Sequence, residues 1–168
     1  AGPSSNVIPV DVLREESYRK AGELFGAYTR GENDGRVAAL FYTGTGERRT
    51  ESEAFQQGFS AVGGASDLFY GEIEDLQHSE EALQFLDELE TRDVRFLFLS
   101  LSELNPVCVN HLLTKDILIA TEDAEPTNAY SGRILFSIET DYAEIMSVIA
   151  NRDNYTESGV LTVRSVIK

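Results

Sequence analysis

Val37-Ala38-Ala39-Leu40-Phe41-Tyr42, followed by Thr43-Gly44-Thr45-Gly46-Glu47-Arg48-Arg49 and Thr50-Glu51-Ser52-Glu53-Ala54-Phe55-Gln56-Gln57-Gly58-Phe59, decides the fold. The first run is short, apolar and bounded by polar residues, as a strand buried on both faces of a parallel sheet should be. Two glycines then make a loop whose backbone can approach a ligand closely. Thr50-Glu51-Ser52-Glu53 has the capping-box pattern and predicts a helix start there. That helix carries Phe55, Phe59 and Val62 on one face and stops at Gly63-Gly64. Strand, glycine loop and helix are half of a βαβ unit, and in open α/β sheets the loops at the carboxyl ends of the strands bind ligands.

Working outward, the rest of the chain alternates in the same way. Residues 1–9 read as a flexible lead and 10–168 as a single α/β domain. Asp11 to Arg30 predicts a helix, with Leu13, Ala21, Leu24, Phe25 and Tyr28 at helical spacing. Further strands are expected at 67–74, 94–99, 116–120, 133–138 and 159–167. Helices are expected from Ser79, from the Asn105-Pro106 pair, and from Thr140 or Asp141 through Ile149. Strands interleaved with helices imply a three-layer sandwich around a mostly parallel central sheet.

Composition narrows the function. The 168 residues include 42% hydrophobic and 26% charged side chains, ordinary for a single globular domain. Fourteen basic against 29 acidic residues give a net charge of −15, which disfavours nucleic acid and anionic lipid as partners. No apolar run approaches the roughly 18 residues of a membrane span. The one cysteine, Cys108, leaves no internal disulfide and no cysteine-rich metal site. Ala1-Gly2-Pro3-Ser4-Ser5-Asn6 reads either as a remnant of cloning or as the mature end of an exported protein.

Catalytic constellations are scarce. No P-loop, nucleophile elbow or zinc spacing is present. His78 and His111 lie far apart in the chain, and Cys108 sits between valines. The expected functional edge instead gathers the loops at 44–49, 100–103 and 122–130. The candidate ligand-binding residues are Gly44, Thr45, Arg48, Arg49, Ser100, Ser102, Glu103, Glu122, Asp123, Asn128 and Tyr130. The arginines suit a carboxylate or phosphate, and Tyr130 a stacking contact. Glu122, Asp123 and Glu125 read either as a solvated acidic loop or as groups for a cation or a ligand hydroxyl.

The helix Glu16–Gly26 with its Ala21-Gly22 and Gly26, the buried strand, and Phe55-Gln56-Gln57-Gly58-Phe59 together resemble one lobe of a type I periplasmic-binding-protein fold. The glycine patterns most resemble the basic membrane protein family of solute-binding lipoproteins, which includes nucleoside receptors. Phe136 to Glu144 resembles the segment where such lobes, and those of lac-repressor-like regulators, enter a late helix. The resemblance implies a non-enzymatic receptor domain for a nucleoside or sugar, with no cofactor. It also implies an ABC-transporter context, a periplasmic or cell-envelope location with a possible lipid anchor, and a second lobe, second copy or transporter as partner. The chain departs from the family in length, which suffices for one lobe, and in lacking a clear second-helix arginine of the kind sugar-binding members use, with Phe55 near that place.

Two other readings stand beside it. Leu40 to Glu47 also resembles the phosphate loop of flavodoxins, implying an FMN-binding electron carrier. The third reading is a protein-interaction domain that has lost ligand binding.

Overall fold

A computed structural model describes residues 10–30, 36–63, 68–122, 134–140 and 161–167. The described residues form seven strands, β1 (Val10–Leu13), β2 (Arg36–Tyr42), β3 (Phe69–Ile73), β4 (Val94–Ser100), β5 (Leu118–Glu122), β6 (Ile134–Thr140) and β7 (Leu161–Ile167). The described helices are α1 (Glu15–Arg30), α2 (Gly46–Ala61), α3 (Ser79–Thr91) and α4 (Asn105–His111). One sheet of order β1-β7-β6-β5-β4-β2-β3 joins the strands. The five from β6 to β3 pair in parallel. β7 runs antiparallel to β6, and β1 lies parallel to β7. The expected three-layer sandwich with a mostly parallel sheet is the fold observed.

Alternation along the strands separates two cores of different chemistry. Val37, Ala39 and Phe41 of β2, Phe96 and Phe98 of β4, Ala120 of β5, and Phe136 and Ile138 of β6 face α1 and α2. There they meet Tyr18, Ala21, Phe25, Phe55 and Phe59, so this layer is largely aromatic. Ala38, Leu40, Leu97, Leu99 and Ile119 face the other way, against Ala82, Leu86 and Leu89 of α3 and Cys108, Val109 and Leu112 at α4. Strands buried on both faces carry no polar alternation, which is why 37–42 and 96–99 read as continuous apolar runs, with the exposed Arg95 near the start of β4.

α1 and α2 touch backbone to backbone. A Cβ built on Gly22 would lie 2.0 Å from the Phe55 carbonyl oxygen, and one on Gly58 would lie 2.0 Å from that of Arg19. The two glycine patterns quoted above are therefore the two halves of one helix crossing.

Several expected boundaries shift, each for a local reason. α2 starts at Gly46 rather than at Thr50, because Thr45 is its N-cap and accepts a hydrogen bond from the Arg48 N–H at 3.1 Å. Asp11 belongs to β1 and not to a helix, and α1 begins at Glu15. Leu24 and Tyr28, expected inward, are each 45% exposed. The buried stripe of α1 is Ser17, Tyr18, Ala21, Gly22, Phe25, Gly26 and Thr29. Asn105 is the first residue of α4 rather than its cap; its Oδ1 accepts from the Leu101 N–H at 2.7 Å. Glu122, expected in a loop, closes β5 and is buried. The lead at 1–9 and the helix expected from 140 or 141 to 149 lie outside the described residues, except Thr140, which ends β6.

Phe98 lies within 6.2 Å, centroid to centroid, of Tyr18, Phe25, Phe41, Phe55 and Phe136. Phe98→Ala should cost about 3–5 kcal/mol by lost burial plus a cavity, measured by urea unfolding. Gly58→Ala should destabilise by about 1–3 kcal/mol, since its methyl group meets backbone that cannot rotate away. Gly46→Ala, whose Cβ finds open space, should be neutral in the same assay.

Candidate functional site

At the carboxyl edge of the sheet the aromatic layer gives way to a polar one. Beyond Phe41, Phe98 and Ala120 the same face continues as Thr43, Ser100 and Glu122, all buried. Glu122 is its centre. Both carboxylate oxygens are bound by Arg48, with Nη2 donating to Oε1 at 2.5 Å and Nη1 to Oε2 at 2.8 Å. Arg14 Nη2 donates to Oε2 at 2.6 Å. The Tyr18 hydroxyl also donates to Oε2. The Ser102 N–H reaches Oε1 at 2.9 Å, and Asn105 Nδ2 lies 3.4 Å from the same oxygen.

Each donor comes from a different segment. Arg14 stands between β1 and α1, Tyr18 one turn into α1, and Arg48 in the first turn of α2. Ser102 sits in a 3-10 turn after β4 with φ of 52°, in the left-handed region, which costs a non-glycine residue about 1–3 kcal/mol. Ser100 Oγ lies 2.8 Å from the Tyr18 oxygen. Because the phenol proton goes to Glu122, the serine hydroxyl is the donor in that pair. Glu51, one turn along α2 from Arg48, accepts from Arg48 Nη1 at 2.9 Å.

Electrostatics follow from this packing. Burial alone would raise the Glu122 carboxyl, but the hydrogen-bonded charge of Arg48, with Arg14 and Tyr18, outweighs it and holds the group down at about 2. Tyr18 is raised well above its ordinary value by burial and by Glu122. Glu51 is raised by burial, against the pull of the two arginines. Thr43 Oγ1 and Arg48 Nε are buried and have no hydrogen-bond partner among the described residues.

The structure thus brings Arg48, Ser100, Ser102 and Glu122 of the expected set together. Thr45 serves as the α2 cap, and Gly44 lies against Tyr42 and the Glu74 carbonyl. Arg49 turns away to β3, 3.3 Å from Glu74 and 3.8 Å from Glu72. Glu103 is exposed in the 3-10 turn. Asp123, Asn128 and Tyr130 lie outside the described residues. Arg14, Tyr18, Glu51 and Asn105 join the site without having been expected there. Cys108 stays in the aliphatic core, where burial pushes its thiol up to about 12. The histidines pair at the surface, His78 with Asp75 at 3.4 Å and His111 with Asp87 at 2.8 Å.

Because the folded Glu122 carboxyl is held below its ordinary 4.5, its stabilising contribution is complete above that pH and is lost as pH falls towards 2. Glu51, raised in the folded state, acts in the opposite sense and offsets part of the acid loss. Glu122→Gln should cost about 3–5 kcal/mol at neutral pH, because it removes the shared carboxylate from two part-buried guanidinium groups and leaves Glu51 on Arg48 alone. In urea unfolding from pH 7 to 2, the gap between wild type and Glu122→Gln should narrow below pH 4.5.

No family model and no curated protein matches this chain in sequence. Among solved structures, a Caulobacter myo-inositol binding protein bound to myo-inositol superposes with a TM-score of 0.66 at 13% identity, covering 100% of this chain and 62% of that one. A periplasmic ribose ABC transporter protein from Conexibacter woesei gives 0.65 at 14% identity, over 95% and 57%. A putative LacI transcriptional regulator from Bacteroides fragilis gives 0.66 at 14% identity, over 99% and 63%. This chain therefore spans about three fifths of the length of each. Its fold is that of one lobe of a type I periplasmic binding protein.

Proposed function

We propose that this domain is a non-enzymatic solute-receptor lobe that binds a polar, hydroxylated small molecule, a sugar or nucleoside, at the carboxyl edge of its sheet. The observation that carries the reading is the polar layer on that edge. Hydroxyl, guanidinium, amide and carboxylate groups from five segments converge where open α/β sheets take ligands. Among the described residues Thr43 Oγ1 and Arg48 Nε are buried there without a hydrogen-bond partner, a state that polar groups in protein interiors rarely keep. Ligands named for the solved neighbours, myo-inositol and ribose, are of the same chemical class.

In this reading a second lobe or a second copy completes the cleft, and the assembly delivers solute to an ABC transporter in the cell envelope, with a lipid anchor as the tether. Kinship with the basic membrane protein family rests on the glycine patterns, and their place at the α1–α2 crossing gives those patterns a packing role. The FMN reading has less support. The Thr45 hydroxyl is engaged as a helix cap, and Glu47 and Glu74 border the loop that would hold a phosphate.

An open lobe buries little of a ligand, so it should bind on the order of high micromolar or weaker. NMR titration with neutral sugars and nucleosides should shift amides of 43–48, 100–102 and 122. Shifts confined to the opposite edge, or none at millimolar ligand, would favour a protein-interaction domain instead.

A further inference from the structure

Resting on the receptor reading, we propose that Glu122 sets the charge of the ligand. It occupies from inside the protein the seat that a ligand carboxylate would take, so the site admits uncharged hydroxylated molecules and rejects their carboxylate analogues.

The seat is built for a carboxylate. Arg48 grips both oxygens of Glu122 in the parallel two-bond arrangement by which guanidinium recognises carboxylate. Arg14 and the Ser102 N–H complete it. The Glu122 side chain is 1% exposed, against 19% for Arg14 and 11% for Arg48. The carboxylate therefore lies beneath the guanidinium groups, and a ligand at the edge meets the outer sides of cations already neutralised. Glu51 supplies a second carboxylate to Arg48, so among the described residues two arginines face two glutamates and their formal charges cancel. A ligand carboxylate arriving here would be desolvated with no surplus cation to receive it, on a protein of net charge −15. A neutral hydroxyl meets no such penalty, and selectivity arises by rejection.

Glu122→Ala removes a CH2–COO− unit the size of acetate and empties the seat, leaving both arginines in place. Acetate, compared with chloride at equal ionic strength, should raise the melting temperature of Glu122→Ala and leave wild type unchanged. In NMR titrations D-glucuronate should bind Glu122→Ala at least tenfold tighter than wild type, while myo-inositol gains nothing. Wild type should prefer myo-inositol to glucuronate by at least tenfold. Acetate acting no differently from chloride on the variant, or glucuronate matching myo-inositol on wild type, would overturn the inference. If Glu122→Ala fails to fold even in acetate, Glu51→Gln, which removes one negative charge from the cluster, should still tighten glucuronate severalfold; no gain would count against the proposal. Silence of wild type towards neutral sugars and glucuronate alike would sink the receptor reading and the ligand-charge role with it, while the acetate measurement still judges by itself whether the seat takes a carboxylate.

Discussion

A carboxylate stripped of water at the end of a central strand is tolerated only if donors surround it, because the desolvation penalty for such an ion runs to several kcal/mol. Glu122 imposes that condition on this fold. The first turn of α2, the first turn of α1, the residue linking β1 to α1, the turn after β4 and the start of α4 each send one donor to it. Local features that look unrelated share this cause. The start of α2 at Gly46 sets Arg48 in register with the carboxylate, and the left-handed backbone at Ser102 accompanies an N–H donated to the same group.

The sheet supplies the frame within which that condition can be met. Its two faces bury different chemistry, rings under α1 and α2 and branched aliphatics under α3 and α4. Along the ringed face the change from Phe41, Phe98 and Ala120 to Thr43, Ser100 and Glu122 takes one step of the strand repeat. The apolar part of the face fixes the polar part, because side chains two residues apart on a strand must share a side.

The architecture was legible because doubly buried strands and glycine-punctuated helices leave strong one-dimensional patterns. β2 and β4 could be read from residues 37–42 and 94–99 almost to their ends. The site was legible only in part. Arg48, Ser100, Ser102 and Glu122 follow from their place at or just past strand ends, but Tyr18 and Arg14 come from the helix and link before β2, and no spacing ties them to Glu122. The phase of α1 misled for a physical reason. Ala21 and Phe25 were placed rightly, but Leu24 and Tyr28 pull the stripe towards the rim, where each is 45% exposed, while Gly22 and Gly26 of the true stripe carry no hydrophobic weight. Counting glycine as an inward residue at that 3–4 spacing would have found it. Glu122 was misplaced because a charged residue at a strand end reads as loop unless its buried partners are known.

The Gly22–Gly58 crossing has a kinematic consequence for the cluster. At Gly22 and Gly58 carbonyl meets Cα with no side chain between to absorb a relative shift, and Phe25 packs against Phe55 and Phe59 beside that crossing, so α1 and α2 are tied closely together. Tyr18 and Arg48 ride on that helix pair, whereas Glu122 and Ser100 belong to the sheet. A displacement of the helix pair reaches the Tyr18 and Arg48 bonds to Glu122 together, while those from Ser102 and Asn105 stay with the sheet side.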